Sequence, residues 1–525
     1  MRGAPARTWI SAALLALLTL SACAVNPVTG ERNFQVYGSD WERQVGAQMY
    51  APMKQSQGGE FILDPDLTAY VKQVGDRLAA RSRREGELDY EFSILNDSVP
   101  NAWALPGGKI VINRGLLAAL ESEAELAAVL GHEIVHADAS HGARAQSKAM
   151  LTQTGAIISM VVLGSTIDSE SAREVAMMVP ALGAQLLTQK YGRDAEREAD
   201  DYGMLYMSEA GYDPQGAVRL QETFVELSEG RQQDWLSGLF ASHPPSKERV
   251  ANNRARAARL PAGGEMGVDE FRRRTAYLKR VQPAFDAFDE ASKAVAEDQL
   301  GLAQERLNEA MSLEPRESLF HGLQGDIHAL NGEPEQALAS YASAIRANPG
   351  LFYGHLRKGQ VAYRLDRGEQ ARASLQQSLE LLPTAEAHYL LGMLDQKAGN
   401  LDSAVEHFRL AADSKSEAGQ QAARELVMLD LPANPSKYIA SRLAVDRQNV
   451  VWVQFGNLTS VALRDIEISY AWLDEQGRTR QATTSYAGPL GAGKKAQMSL
   501  GIQLEAPAEL ERRVRAQVTA ARPEG

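Results

Sequence analysis

Gly131-His132-Glu133-Ile134-Val135-His136 sets two histidines four residues apart, with a glutamate directly after the first. On an α-helix, positions i and i+4 share a face, so His132 and His136 can grip one metal ion. Glu133 leans to the side of that pair, where it can take a proton from a metal-bound water. Ser122 is a suitable N-cap, and Glu123 and Glu125 place acids in the first turn. Leu126, Val129, Leu130 and Ile134 then supply the apolar stripe of a packed helix. His141 is five residues past His136 and off the i+4 ladder, so it reads as a supporting or surface residue rather than a ligand.

Two imidazoles make half a site. A second acidic run, Tyr191-Gly192-Arg193-Asp194-Ala195-Glu196-Arg197-Glu198-Ala199-Asp200-Asp201-Tyr202-Gly203, follows further on. At 3.6 residues per turn, Glu196, Asp200 and Gly203 share a face, while Glu198 points roughly 200° away from Glu196. Only one of the two glutamates can face the metal. Glu196 is the better candidate, with an acid at i+4 and a close-packing glycine at i+7. Two imidazoles and a carboxylate leave zinc an open position for water, the arrangement of a catalytic site. Zinc lowers that water's pKa toward about 7, and Glu133 can accept the proton and pass it to a leaving amine. Asp200 can hold a ligand imidazole by its outer N–H.

Working outward, Tyr90 to Leu95 alternates as a strand. Asn101-Ala102-Trp103-Ala104-Leu105 and Lys109 to Ile112 flank Pro106-Gly107-Gly108 as a hairpin. Asn101, Ala102, Trp103 and Ala104 are candidates for a sheet edge that receives an extended peptide, and equally for plain core sheet. Residues 149–190 hold two apolar runs separated by charges, either a helical hairpin over the cleft or a surface that touches a membrane. His243, before Pro244-Pro245, has three open readings: stabilising the reaction intermediate, gating the metal's fourth position, or packing beside Pro244. Arg249 is expected to ion-pair within the domain, with a site carboxylate as candidate partner. Pro261, Gly263 and Gly264 suggest a linker over 263–282.

His132, Glu133 and His136 followed by Glu196 and Asp200 resemble the HExxH and ExxxD motifs of the family 48 zinc metallopeptidases, the family of HtpX-like and CAAX prenyl proteases. "NAWALPGG" and "ASHPPSKER" also look like segments of that family. The resemblance covers about residues 24–260. It implies an α+β zincin-type (gluzincin) metalloprotease domain over 23–262, with one Zn2+ held by His132, His136 and Glu196 and with Glu133 catalytic.

Beyond it, Pro315, Pro349 and Pro383 stand 34 residues apart, as do Ala303, Ala337 and Ala371. That period resembles tetratricopeptide repeats, about four of them over 283–430, an all-α solenoid. The histidines scattered through this array read as structural or solvent-facing. Strand-like segments from Val450 to Val518 predict a small β-sandwich over 436–525. The chain is therefore expected to be multidomain.

The N-terminus completes the reading. Arg2 and Arg7 precede a short apolar core ending in Leu20-Ser21-Ala22-Cys23, with Cys23 the single cysteine of 525 residues. This resembles a lipoprotein signal (1–22), with lipidation of Cys23 and Ala24 favouring the outer membrane. The expected location is the periplasm of a Gram-negative bacterium. Asn26-Pro27-Val28-Thr29-Gly30 reads as a turn-rich tether. A net charge of −12 without any basic run argues against a nucleic-acid partner. The expected function is hydrolysis of misfolded or misassembled envelope proteins. Unfolded outer-membrane proteins would be its clients, and the repeats could bind them or the β-barrel assembly machinery. The competing function is a chaperone or assembly scaffold with proteolysis mostly silenced.

Overall fold

The computed structural model describes residues 23–149, 191–229, 243–244, 246–474 and 476–524. The expected signal segment (1–22) and the apolar runs at 149–190 lie outside the described residues, apart from Ala149. Among the described residues no helix is long and apolar enough to cross a membrane. Two compact units emerge, Met1–Gly354 and His355–Gly525.

In the first unit, β1 (Cys23–Val25) pairs with β2 (Arg32–Phe34) around the Asn26–Gly30 turn. Two helices follow, α1 (Ser39–Ser56) and α2 (Pro65–Ala79). Asp64 caps the second by accepting from Leu67 N. A three-stranded sheet follows in the order β3 (Glu91–Leu95), β5 (Lys109–Asn113), β4 (Ala102–Leu105). β4 and β5 form the antiparallel hairpin, with Ala102 opposite Ile112 and Leu105 opposite Lys109. Gly107 and Gly108 take φ of 85° and 88° at its turn, a conformation that favours glycine. β4 is an edge strand.

Helix α3 (Glu123–Asp138) carries the HExxH residues and is almost wholly buried. Ser122 caps it, accepting from Glu125 N. α4 (Arg193–Glu209) and α5 (Gln215–Glu229) pack against it, and α6 (Lys247–Ala257) packs on both of those.

The expected linker over 263–282 is a correction. It forms α7 (Val268–Arg274) and the start of α8 (Ala276–Ala296), joined to the core rather than spanning open space. Phe271 and Leu278 are fully buried, and Met266 O accepts from Ala124 N at the head of α3. Pro261, Gly263 and Gly264 make a turn, after which apolar residues at helical spacing bury against the peptidase core. The same buried cluster runs on through Phe285, Ala303 and Phe320 into the first repeat helices. The unit boundary accordingly falls inside the repeats, not at 262.

The repeat glycines have a common cause. A methyl on Gly325 would meet the Tyr341 ring at 2.4 Å, one on Gly359 the Leu375 side chain at 2.7 Å, and one on Gly392 the Phe408 ring at 2.6 Å. In these three repeats the first helix thus receives a large side chain from the second, 16 residues on (341 − 325, 375 − 359, 408 − 392). Ala303, Ala337, Ala371 and Ala404 are all fully buried. The second unit ends in two antiparallel three-stranded sheets, which contribute to one buried cluster that includes Val453, Phe455, Ile468 and Val518.

Candidate metal centre

α3 and α4 approach through glycine. A Cβ on Gly203 would lie 2.9 Å from His132 N, and one on Gly131 would lie 3.0 Å from Gly203 O. Backbone-to-backbone contact lets Glu196, near the start of α4, reach the histidines of α3. His136 Nε2 lies 3.0 Å from His132 Nε2 and 3.5 Å from Glu196 Oε1. His132 Nε2 lies 3.6 Å from Glu196 Oε2. With His243, these residues offer buried ligand atoms all within 4.8 Å of one another.

His243 enters from the loop before α6. Its Nδ1 is 3.0 Å from Glu196 Oε1 and 3.3 Å from His132 Nε2, and its Nε2 is 3.6 Å from Glu133 Oε1. Asp200 Oδ1 is 3.1 Å from His132 Nδ1, the ring nitrogen that faces away from the centre. Arg249 donates to both Asp200 oxygens, from Nε at 2.8 Å and from Nη2 at 2.7 Å, and its Nη1 is 3.1 Å from Glu196 Oε2.

The electrostatics follow from burial and these neighbours. Burial, then the nearby His132, hold His136 well below its ordinary value, so it is a neutral imidazole with a free lone pair. Burial pushes the Glu133 carboxyl up. Burial opposes ionisation of Glu196 and Asp200 as well, but His243 and Arg249 outweigh it for the first and Arg249 for the second, and both carboxyls sit below their usual range. Neutral nitrogen and anionic oxygen converging on one point suit a zinc ion.

The edge-strand candidates divide. Ala102 lines the same cavity as His132, Glu133 and His243, together with Val129, Leu220 and Phe224. Trp103 is buried against α1 beside Met49 and Met53, and its Nε1 donates to Gln57 Oε1 at 3.2 Å. Ala104 packs on the main core. Asn101 uses its carbonyl to accept from Asn113 N at 2.8 Å. Cys23 stands in β1, paired with Phe34.

Two features were not read from sequence. Tyr191 stacks on His136 with ring centroids 4.2 Å apart. Gly131 pairs with Gly203, for which a glycine in each metal-bearing helix was the available signal. His141, read from sequence as a supporting or surface residue, is buried against His136 and takes the supporting place.

Residues 65–257 match the profile of Peptidase family M48, and 288–351 and 356–422 match tetratricopeptide repeats. The mitochondrial metalloendopeptidase OMA1 of Schizosaccharomyces pombe is 30% identical over 247 residues, 46% of this chain and 69% of that protein. The chain belongs to peptidase family M48. As an M48 metallopeptidase it is also similar to the β-barrel assembly-enhancing protease of Escherichia coli, at 27% identity over 403 residues covering 67% of this chain and 81% of that one. The metalloprotease YcaL of Escherichia coli is 31% identical over 192 residues, 35% of this chain and 71% of that one. Zinc is the metal of family M48, and the donor set above fits it.

Proposed function

We propose that the chain is a zinc-dependent endopeptidase at the periplasmic face of the bacterial outer membrane, held there by a lipid on Cys23. Its substrates are misfolded or misassembled envelope proteins. The observation that carries this reading is the convergence of His132, His136 and Glu196 beside buried Glu133, with His132 and Glu133 lining the same cavity as Ala102 of the edge strand.

Zinc, when bound by His132, His136 and Glu196, supplies Lewis acidity toward a peptide carbonyl and an attacking water. The rest falls to the chain. Glu133, raised by burial, accepts the water's proton and delivers it to the departing amine. Asp200 orients His132, and Arg249 fixes Asp200 and Glu196 together. The edge of β4, unpaired by any strand among the described residues, offers main-chain groups to an extended peptide, which tolerates varied side chains. The repeats bind unfolded outer-membrane proteins or the β-barrel assembly machinery; their family match and the name of the Escherichia coli relative support this.

In fold terms the reading is a gluzincin-type domain within 23–262, a repeat solenoid within 283–430 and a β-sandwich within 436–525. Residues 263–282 belong structurally with the first.

One observation favours the second reading, an assembly chaperone with silenced proteolysis. His243 sits within 3.0 Å of Glu196 and 3.3 Å of His132, the place a fourth ligand would take.

The test is metal content and cleavage of an unfolded outer-membrane barrel by the wild type and by Glu133→Gln. Both should carry zinc and only the wild type should cleave; equal cleavage, or absence of zinc from both, defeats the peptidase reading. If Glu133→Gln still rescues barrel assembly in a deletion strain, the scaffold activity dominates.

A further inference from the structure

Glu198 points away from the metal, yet it is not on the surface. Its carboxylate is engaged by Asn26, His141 and Arg144, none of which lines the cavity. Asn26 Nδ2 donates to Glu198 Oε1 at 2.6 Å, and Asn26 is 3% exposed. Glu198 Oε2 lies 3.4 Å from His141 Nε2 and 3.6 Å from Arg144 Nη1. His141 Nδ1 lies 2.8 Å from His136 Nδ1. His136 Nε2 is the nitrogen turned toward His132 and Glu196.

These contacts have one consistent proton assignment. A ligand imidazole that gives its Nε2 lone pair to a metal keeps its proton on Nδ1. That N–H needs an acceptor, and His141 Nδ1 is placed to be it. His141 must then carry its own proton on Nε2, facing Glu198. The 3.4 Å approach is longer and less aligned than a good hydrogen bond, but a buried ring N–H beside a carboxylate has that carboxylate as its acceptor. Removing the Glu198 carboxylate takes away the group that selects this tautomer.

The tether is built to hold Glu198. Asn26 Oδ1 accepts from Val28 N at 2.9 Å, so its side-chain amide is fixed by its own turn. Arg144 Nη2 donates to Asn33 Oδ1 at 3.2 Å, and Val36 N donates to Ser147 Oγ at 3.0 Å. The strand pair β1–β2 is thereby fastened to the helical turns that carry His141.

We infer that Asn26, Glu198 and His141 form a chain of positioning residues that orients His136 for the metal, making the N-terminal tether a structural part of the metal centre. The segment that begins at Cys23 reaches this chain after three residues (26 − 23). The inference rests on His136 being a zinc ligand, as proposed above.

The test measures zinc affinity of the full chain by chelator competition, with the melting temperature of the metal-free protein as control. His141→Ala should weaken zinc binding by about 10- to 100-fold. Glu198→Gln, which keeps the side chain's shape, and Asn26→Ala should weaken it by successively less, while the metal-free melting temperature of Glu198→Gln stays at the wild-type value. Wild-type zinc affinity in His141→Ala and Glu198→Gln overturns the inference. So does a lowered metal-free melting temperature with unchanged affinity, which assigns these residues to packing alone. His136→Ala and Glu196→Ala separate the two levels. If they retain wild-type zinc affinity, the ligand reading itself fails; if they lose zinc while the positioning variants do not, only this inference does.

Discussion

Gly203 lies directly against His132, so close that the space for a β-carbon on Gly203 is taken by the His132 backbone nitrogen, 2.9 Å away. The metal centre spans two helices, and this contact sets their separation. Gly203→Ala brings two opposed effects. Alanine raises helix propensity by about 1 kcal/mol over glycine. Overpacking against backbone, which cannot rotate aside, costs about 1–3 kcal/mol. The clash should win, lowering thermal stability and, by spreading Glu196 from His132, weakening zinc binding. Calorimetry with chelator competition checks both; a variant at least as stable as wild type with unchanged zinc affinity would falsify the close-packing argument.

His243 is within reach of Glu196, His132 and Glu133 at once. If it is a gate that occupies the fourth position, His243→Ala should raise basal cleavage of a denatured outer-membrane protein. If it stabilises the reaction intermediate, the same variant should cleave more slowly. The sign of the change, read in a cleavage assay at saturating zinc, decides; lower or unchanged activity sinks the gate.

Phe271 is fully buried in the stretch that reads as a linker, and it joins the cluster shared with Leu278 and Phe285. Truncating a buried phenylalanine costs about 3–5 kcal/mol. Phe271→Ala should therefore shift the denaturant midpoint of the peptidase unit strongly. A true linker residue would be silent, so an unshifted midpoint would return 263–282 to that role.

How much of this was legible in sequence depended on the range of each interaction. His132 and His136 are one helical turn apart, and Glu196, Asp200 and Gly203 share a helix face, so periodicity alone could group them. The 34-residue spacing of Pro315, Pro349 and Pro383 is likewise a local pattern repeated. Contacts such as Asn26 with Glu198, or His141 with His136 across the end of α3, depend on how elements pack and leave no periodic trace. The 263–282 stretch misleads for a related reason. Gly263 and Gly264 announce a turn, and a turn between packed helices has the same composition as a flexible connection. Trp103 shows the converse, since a strand at the end of its sheet still buries its large side chain in the core.

The last prediction concerns acid sensitivity in the second unit. His388 Nδ1 and His407 Nδ1 lie 3.0 Å apart, and burial, then the neighbouring imidazole, lowers His388 to about 4. Burial lowers His407 too, although Asp395, 3.8 Å from its Nε2 and itself paired with Arg372, opposes this. Glu406 also raises both, and the net shift is still downward. A histidine whose folded pKa is depressed binds its proton more readily when the chain is unfolded, so stability rises with pH between the folded and unfolded values. The unit should therefore be fully stable above about 6.5, the unfolded value, and lose stability as the pH falls from there toward 4. The metal centre is acid-sensitive for separate reasons, so the informative quantity is a difference. In the full chain, His388→Gln should flatten the pH dependence of the second unit's melting transition over this window while leaving zinc content unchanged. A variant with the wild-type slope would show that this histidine pair is not what titrates.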